Sequence, residues 1–305
     1  MVGLGRMGGN MSERLRRGGH EVVGFDRNPL VSDVPDLAGL VAALGESPRV
    51  VWVMVPSGQP TDAAVTELGG LLGAGDVVVD GGNSNYQDSR RHGAWLHERG
   101  IGFVDCGTSG GIHGLEEGYC LMVGGHPDHV AAVQPAFDTL KPPAGGFAHV
   151  GAAGAGHFTK MVHNGIEYGL MQSYAEGYEL LTAVDFELDA DAAFEAWRHG
   201  SVVRSWLLDL LNVALHEDHG FEQIRGYAAD SGEGRWTVEE AVRLAVPLPV
   251  ISAALFARFA SRQDESPAMR VVAALRTQFG GHSAEAVERR PAESTTEGEG
   301  QVRPG

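Results

Sequence analysis

The sequence predicts an α/β fold, an N-terminal Rossmann-like, doubly wound, mostly parallel sheet followed by an all-helical C-terminal domain. Three observations carry that expectation. A glycine-rich turn opens the chain ahead of an amphipathic stretch. Continuous apolar runs then alternate with helical patterns, as strands buried on both faces do. After Gly151 the strand-like runs stop. A length of 305 residues suits two domains, placed at 1–150 for a dinucleotide and at 151–280 for substrate and subunit contacts.

In chain order, Met1-Val2 read as a strand remnant, Gly3 to Gly8 as a turn, Gly9 to Gly18 as a helix and His20 to Asp26 as a second strand. Two residues are fewer than the about five a strand needs, so the first strand is expected to be short or frayed, with residues missing upstream of Met1. Further strands are expected at Val50–Val55, Val77–Asp80, Ile101–Asp105, Tyr119–Gly124 and Phe147–Val150, with helices at Gln59–Leu72 and Tyr86–Arg99 between them. Beyond Gly151, helices are expected at Gly156–Thr182, Ala190–Arg198, Ser201–His216, Thr237–Ala245, Pro249–Ser261 and Pro267–Phe279. Residues 281–305, rich in Glu, Ser, Thr, Pro and Gly, carry too little apolar surface to offset ordering and are expected to be disordered.

Composition excludes several classes. A formal charge of −17 argues against nucleic-acid binding, which rewards clustered basic residues. No stretch approaches the length of a membrane span and no basic-then-apolar leader opens the chain, so a cytoplasmic protein with no membrane contact is expected. Two cysteines, Cys106 and Cys120, are too few for a disulfide framework and are expected to be buried thiols. His216 and His219 lie three apart in a charged helix end, and no metal site is expected. The chain has only two lysines, Lys141 and Lys160, against 21 arginines. Lysine can shed its proton near neutral pH where arginine cannot, which marks each lysine as a candidate base.

The opening turn carries a physical mechanism. Gly3 permits the tight turn, Gly5 lets the backbone approach a pyrophosphate, and Gly8 lets helix and strand pack closely, so that the helix N-terminus faces the phosphates. Arg6 and Met7 fall between those glycines, and Val55 ends a neighbouring strand. Asp26, at the end of the second predicted strand, can accept bonds from a ribose 2′-hydroxyl and repels a 2′-phosphate, which favours NAD. Arg27 beside it can turn inward and tolerate that phosphate, so NADP stays open.

The long helix places Lys160, His163, Asn164, Glu167 and Tyr168 on one face, at i, i+3, i+4, i+7 and i+8, with Met161, Val162, Ile166 and Leu170 expected to form an opposite apolar face. A buried helix cannot leave lysine and glutamate in hydrocarbon. The stripe therefore faces a cleft, or Lys160 and Glu167 satisfy each other. Two loops beyond strand ends favour the cleft: Asp80-Gly81-Gly82-Asn83-Ser84 and Cys106-Gly107-Thr108-Ser109-Gly110-Gly111. Ligands of open α/β sheets bind at such strand ends.

The strings VGLGRMGGNM, DGGNSNYQDSRR, TSGGIHGLEEGYCLMVGG and GAGHFTKMVHNGIEYGLMQSYAEGYELL resemble the decarboxylating 6-phosphogluconate dehydrogenases over about residues 1–262. The resemblance implies oxidation of a sugar acid at C3 followed by loss of carbon dioxide. It implies Lys160 as the base that takes the C3 hydroxyl proton and Glu167 as the acid that protonates the enediol. Asn164, His163 and Asn83 would then orient substrate hydroxyls, and Ser109, Gly110 and Gly111 would hold the C1 carboxylate. No metal is implied, because a ketone serves as its own electron sink.

Tyr168 and Arg258 match the family's phosphate contacts, and Arg235 can add a second cation. Longer members place a lysine and a threonine where this chain has Ser231 and Glu233, and they continue into a tail that completes the partner subunit's site. The pattern is similar to the shorter, NAD-preferring bacterial branch, and a homodimer or homotetramer is expected. An alternative stays open: a β-hydroxyacid dehydrogenase acting on an unphosphorylated or different acid. So does a catalytically silent nucleotide-binding protein.

Overall fold

The computed structural model describes residues 1–280. The chain opens without a true strand. Val2 is bridged to Phe25 on one side and Val53 on the other, both in parallel. The bridges are closed by Gly3 N–H donating to the Phe25 carbonyl at 2.8 Å and Met54 N–H to the Val2 carbonyl at 2.7 Å. The predicted second strand, His20–Asp26, accordingly shrinks to the single bridge at Phe25, because Met1-Val2 offers no length for His20–Gly24 to pair with.

From there the elements run α1 (Arg6–Arg17), α2 (Leu37–Ala43), β1 (Val50–Val53), α3 (Gln59–Leu71), β2 (Val77–Asp80), α4 (Tyr86–His97), β3 (Gly102–Ser109), α5 (Gly114–Glu117), β4 (Cys120–Gly125), α6 (Pro127–Leu140) and β5 (Phe147–Gly151). The sheet has the order β1-β2-β3-β4-β5. All pairs are parallel except β3 with β4. The segment joining those two strands holds only a 3₁₀ turn and the four-residue α5, too little for a crossover, so the chain returns antiparallel.

Alternation on the strands feeds two cores. Val77, Val79, Val104 and Cys106 pack with Met11, Leu15, Val130 and Phe137 from α1 and α6. Val78 and Phe103 point the other way, to Leu40, Val65, Leu68 and Leu96 of α2, α3 and α4. Helices α2 and α6 are not among the elements expected from the sequence. Asp36 starts α2 by accepting the Gly39 N–H at 2.7 Å, and Pro127 occupies the first turn of α6.

The second part is helical, as expected: α7 (Ala155–Thr182), α8 (Ala190–Trp197), α9 (Trp206–Glu217), α10 (Glu233–Leu244), α11 (Pro249–Ala260) and α12 (Pro267–Gly280). Helix α7 joins the two parts. Asp105, wholly buried in β3, accepts the backbone N–H groups of Gly154 at 2.6 Å and His157 at 2.8 Å, so a strand carboxylate satisfies two free donors at the start of α7.

Several boundaries differ from expectation for physical reasons. Helix α9 begins at Trp206 rather than Ser201, since Ser205 caps it through Leu208 N–H at 3.1 Å. Helix α10 begins at Glu233, four residues before Thr237. Cys106 is buried, but Cys120, at the start of β4, is exposed. The tail expected to be disordered lies outside the described residues. Among the described residues no helix is long and apolar enough to cross a membrane.

Candidate active site

A cleft of about 1200 Å³ runs between the sheet's strand ends and the first half of α7. Its sheet side is made by Gly5, Arg6, Met7 and Gly8 at the start of α1, Val55 after β1, Asn83 after β2, Ser109 at the end of β3, and Gly110 and Gly111 after it. Its helical side is made by Lys160, His163, Asn164 and Glu167 of α7. Thirteen of the residues singled out from the sequence thus line one cavity.

The opening turn is shaped for a large anion-bearing ligand. Gly3 has φ +90°, and a Cβ there would lie 2.5 Å from the Met54 carbonyl oxygen. A Cβ on Gly8 would overlap the Gly3 carbonyl oxygen. A Cβ on Gly5, in contrast, would meet nothing within 4 Å, so the space beside that backbone is open to a ligand. No side chain caps α1, which leaves its first N–H groups facing the cleft. Asp26 braces the turn by accepting the Leu4 N–H at 2.7 Å and the Asn28 N–H at 2.8 Å, bonds that hold its carboxyl below the usual carboxylate range. Asp26 and Arg27 line a separate small recess beyond the main cleft.

Lys160 is only 6% exposed, and among the described residues its amine makes no hydrogen bond or ion pair. The ion pair with Glu167 that would have made both residues merely self-satisfied does not form. Burial lowers the Lys160 pKa, opposed first by Glu167, then by Glu233 and Cys120. Room for the lysine stem comes from Gly107, where a Cβ would overlap Lys160 Cβ. His163 Nδ1 lies 3.0 Å from Asn164 Oδ1 and 4.0 Å from Glu167 Oε2, so the three polar neighbours of the amine are linked along one helix face.

Of the expected apolar back of α7 only Met161 is buried. Ile166 and Leu170 are exposed and line the same cleft, while the buried face is made of Gly156, His157, Met161, Gly165 and Tyr168. Small residues let α7 lie directly on β3, β4 and α10, and that close packing displaces the apolar side chains toward the cavity.

Three further candidates sit beside the cleft. The Tyr168 hydroxyl accepts the Ser231 N–H at 3.2 Å, and the Arg258 guanidinium lies 3.5 Å from the centre of the Tyr168 ring. Arg235 is turned to Asp230, with contacts of 2.6 and 3.2 Å, and Arg262 pairs with the same carboxylate. Asp230 is held well below the usual carboxylate range by those two cations. Of this group only Ser231 lines the cleft.

Sequence reasoning missed the wall supplied by α9, where Ser205, Trp206, Leu207 and Leu210 close the cavity. Trp206 meets His113 edge to face, with ring centres 5.5 Å apart, and so links α9 to the loop after β3. Nothing in spacing or composition marks residues 205–210 as cleft-lining. Gly107 was within a flagged loop, but its role appears only once Lys160 lies against it.

Residues 1–144 match the family model described as the NAD binding domain of 6-phosphogluconate dehydrogenase, and residues 156–297 match the model of that enzyme's C-terminal domain. A Haloferax volcanii protein named NAD(+)-dependent, decarboxylating 6-phosphogluconate dehydrogenase is 41% identical over 292 residues, covering 92% of this chain and 96% of the relative. The decarboxylating enzyme of Lactococcus lactis strain IL1403 is 35% identical over 317 residues, covering 95% of this chain and 67% of its own. Among solved structures, Plasmodium falciparum 6-phosphogluconate dehydrogenase, described in complex with NADP+ and with 6-phosphogluconate, superposes with a TM-score of 0.79 at 25% identity. That match covers 96% of this chain and 66% of the longer one.

Proposed function

This chain belongs to the 6-phosphogluconate dehydrogenase family, and from that membership we propose that it oxidises and decarboxylates 6-phosphogluconate to ribulose 5-phosphate and carbon dioxide with NAD as electron acceptor. The observation that carries the reading is Lys160, a buried amine with no partner among the described residues, opening onto a cleft whose other side is a dinucleotide-shaped glycine turn.

NAD would lie along Gly5–Gly8, Val55 and Asn83, with Asp26 toward the ribose, and when bound it supplies the hydride acceptor. The chain's own residues handle the protons. Lys160, whose pKa burial lowers, takes the C3 hydroxyl proton at Nζ in its neutral form as the alcohol is oxidised. The resulting β-keto acid loses carbon dioxide, the departing electron pair flows to the C3 carbonyl, and Lys160 returns its proton to that oxygen. Glu167 then protonates C1 of the enediol while Lys160 takes the hydroxyl proton back, leaving the ketose. Asn83, Asn164 and His163 orient the hydroxyls, and the backbone at Ser109, Gly110 and Gly111 receives the carboxylate. Tyr168, Arg258 and, after release from Asp230, Arg235 receive the phosphate.

Residues 1–150 hold the dinucleotide and residues 151–280 the substrate and subunit contacts. The helical part leaves Leu180, Val242, Val250 and Phe256 exposed, which supports a homodimer or homotetramer. The deciding assay follows NADH formation and carbon dioxide release together with 6-phosphogluconate, and separately with gluconate. Coupled release with the phosphorylated acid is expected. Faster turnover of gluconate would replace this reading with an unphosphorylated substrate.

A further inference from the structure

Glu233 has no place in the proton traffic described above, yet it is one of the most buried carboxyls in the molecule, at 1% exposure. It opens α10, and the first turn of α10 is fastened across α7 beside the reacting amine. Thr237 Oγ1 donates to the Met161 carbonyl at 2.9 Å, one residue from Lys160. Gly165 lies against Thr237, and Gly234 lies against the Tyr168 ring. Ser231, two residues before Glu233, lines the cleft together with Lys160.

Among the described residues, the Glu233 carboxylate makes no hydrogen bond and no ion pair within 4 Å, and neither does the Lys160 amine. Two buried ionisable groups thus sit in the same polar cluster with their bonding capacity unspent. Each is costly to charge alone and less costly to charge with the other. Burial raises the Glu233 pKa, Lys160 and then His157 oppose that rise by favouring the charged form, and Glu167 adds to it. The groups acting on Lys160 are Glu167, Glu233 and Cys120. His157 spends its Nδ1 on Ser89 Oγ at 2.6 Å. Glu167 is over a third exposed and turns toward His163.

We propose that Glu233 is a positioning residue for the reacting amine, the buried counter-charge that receives and holds the Lys160 ammonium each time Lys160 takes up a proton. The role rests on Lys160 acting as the base, as set out under the proposed function, but the coupling between the two groups exists without substrate. Burial leaves the Lys160 ammonium poorly solvated, and Glu167 is occupied as a proton donor in the last step. A fixed carboxylate on a second helix keeps the amine from leaving the C3 oxygen between its two proton transfers.

Only two lysines occur in the chain, so lysine labelled with ¹³C at Cε yields a two-signal spectrum that Lys141→Arg assigns. In the apo full chain, Glu233→Gln is expected to move the Lys160 titration midpoint down by about one pH unit relative to wild type, because a compensating negative charge is gone. Lys141 is expected not to move. Midpoints equal in both proteins would overturn the proposal whatever the substrate proves to be. In turnover, Glu233→Gln is expected to lower kcat about tenfold or more with the substrate KM within about threefold, and to shift the acidic limb of kcat/KM to lower pH. Glu233→Asp is expected to restore part of the kcat and the limb. A rise in KM alone, with kcat and the limb unchanged, would instead make Glu233 a substrate contact and overturn the positioning role.

Discussion

Lys160 packs its stem against Gly107, and among the described residues its amine makes no hydrogen bond or ion pair. Replacing it with methionine keeps the stem's volume and removes the proton carrier, so kcat is expected to fall by about 10²–10⁴-fold or more while NAD affinity stays the same. Stopped-flow hydride transfer and NAD fluorescence titration would read the two separately. In the wild type, burial lowers the lysine's pKa, so the free amine is available at lower pH than for an exposed lysine. Activity should therefore rise as pH climbs through that depressed value. The glycine turn offers a paired prediction. Gly8→Ala forces a methyl onto the Gly3 carbonyl oxygen and is expected to destabilise the fold by about 3 kcal/mol or more, since backbone cannot step aside. Gly5→Ala meets no protein atom, so stability should change by no more than about 0.5 kcal/mol. The KM for NAD should nonetheless rise, if the pyrophosphate uses the open space. Thermal melts beside steady-state kinetics distinguish the pair.

At the scale of elements, the site depends on where α7 starts. Asp105 reaches from β3 to bond two N–H groups of the first turn, and thereby fixes the rotation of the helix that carries Lys160, His163, Asn164 and Glu167. Asp105→Ala leaves both donors buried without a partner. It is expected to cost ~3 kcal/mol in urea unfolding and to lower kcat, because the same anchor positions Lys160. A stability loss with unchanged kcat would show that α10 and α11 orient α7 without help from the sheet. The stripe on α7 was legible from its 3.6-residue period. The identity of the opposite face was not, because glycine-mediated close packing rather than apolar burial decides which side of this helix is covered.

At the scale of the molecule, two parts meet across one cleft, and ligand binding should tie them together. Saturating NAD at about 100 times its Kd is expected to raise unfolding stability by about 2.7 kcal/mol. NADP at the same concentration should do less, because the Asp26 carboxylate repels a 2′-phosphate. Asp26→Ser should narrow that difference. An equal or larger shift with NADP in the wild type would assign the deciding contact to Arg27, which lines the same recess.

By itself, the sequence determined the strand–helix alternation, the glycine turn, and the row of proton-handling groups on α7. These are local patterns, set by steric demands within a few residues or by the repeat of one helix. Tertiary structure alone decided that α9 walls the cleft, that Arg235 is tied to Asp230, and that Glu233 is buried at the start of α10. Each of those depends on elements far apart in the chain packing to contact distance, where the burial of a charge is set by neighbours that no local spacing encodes.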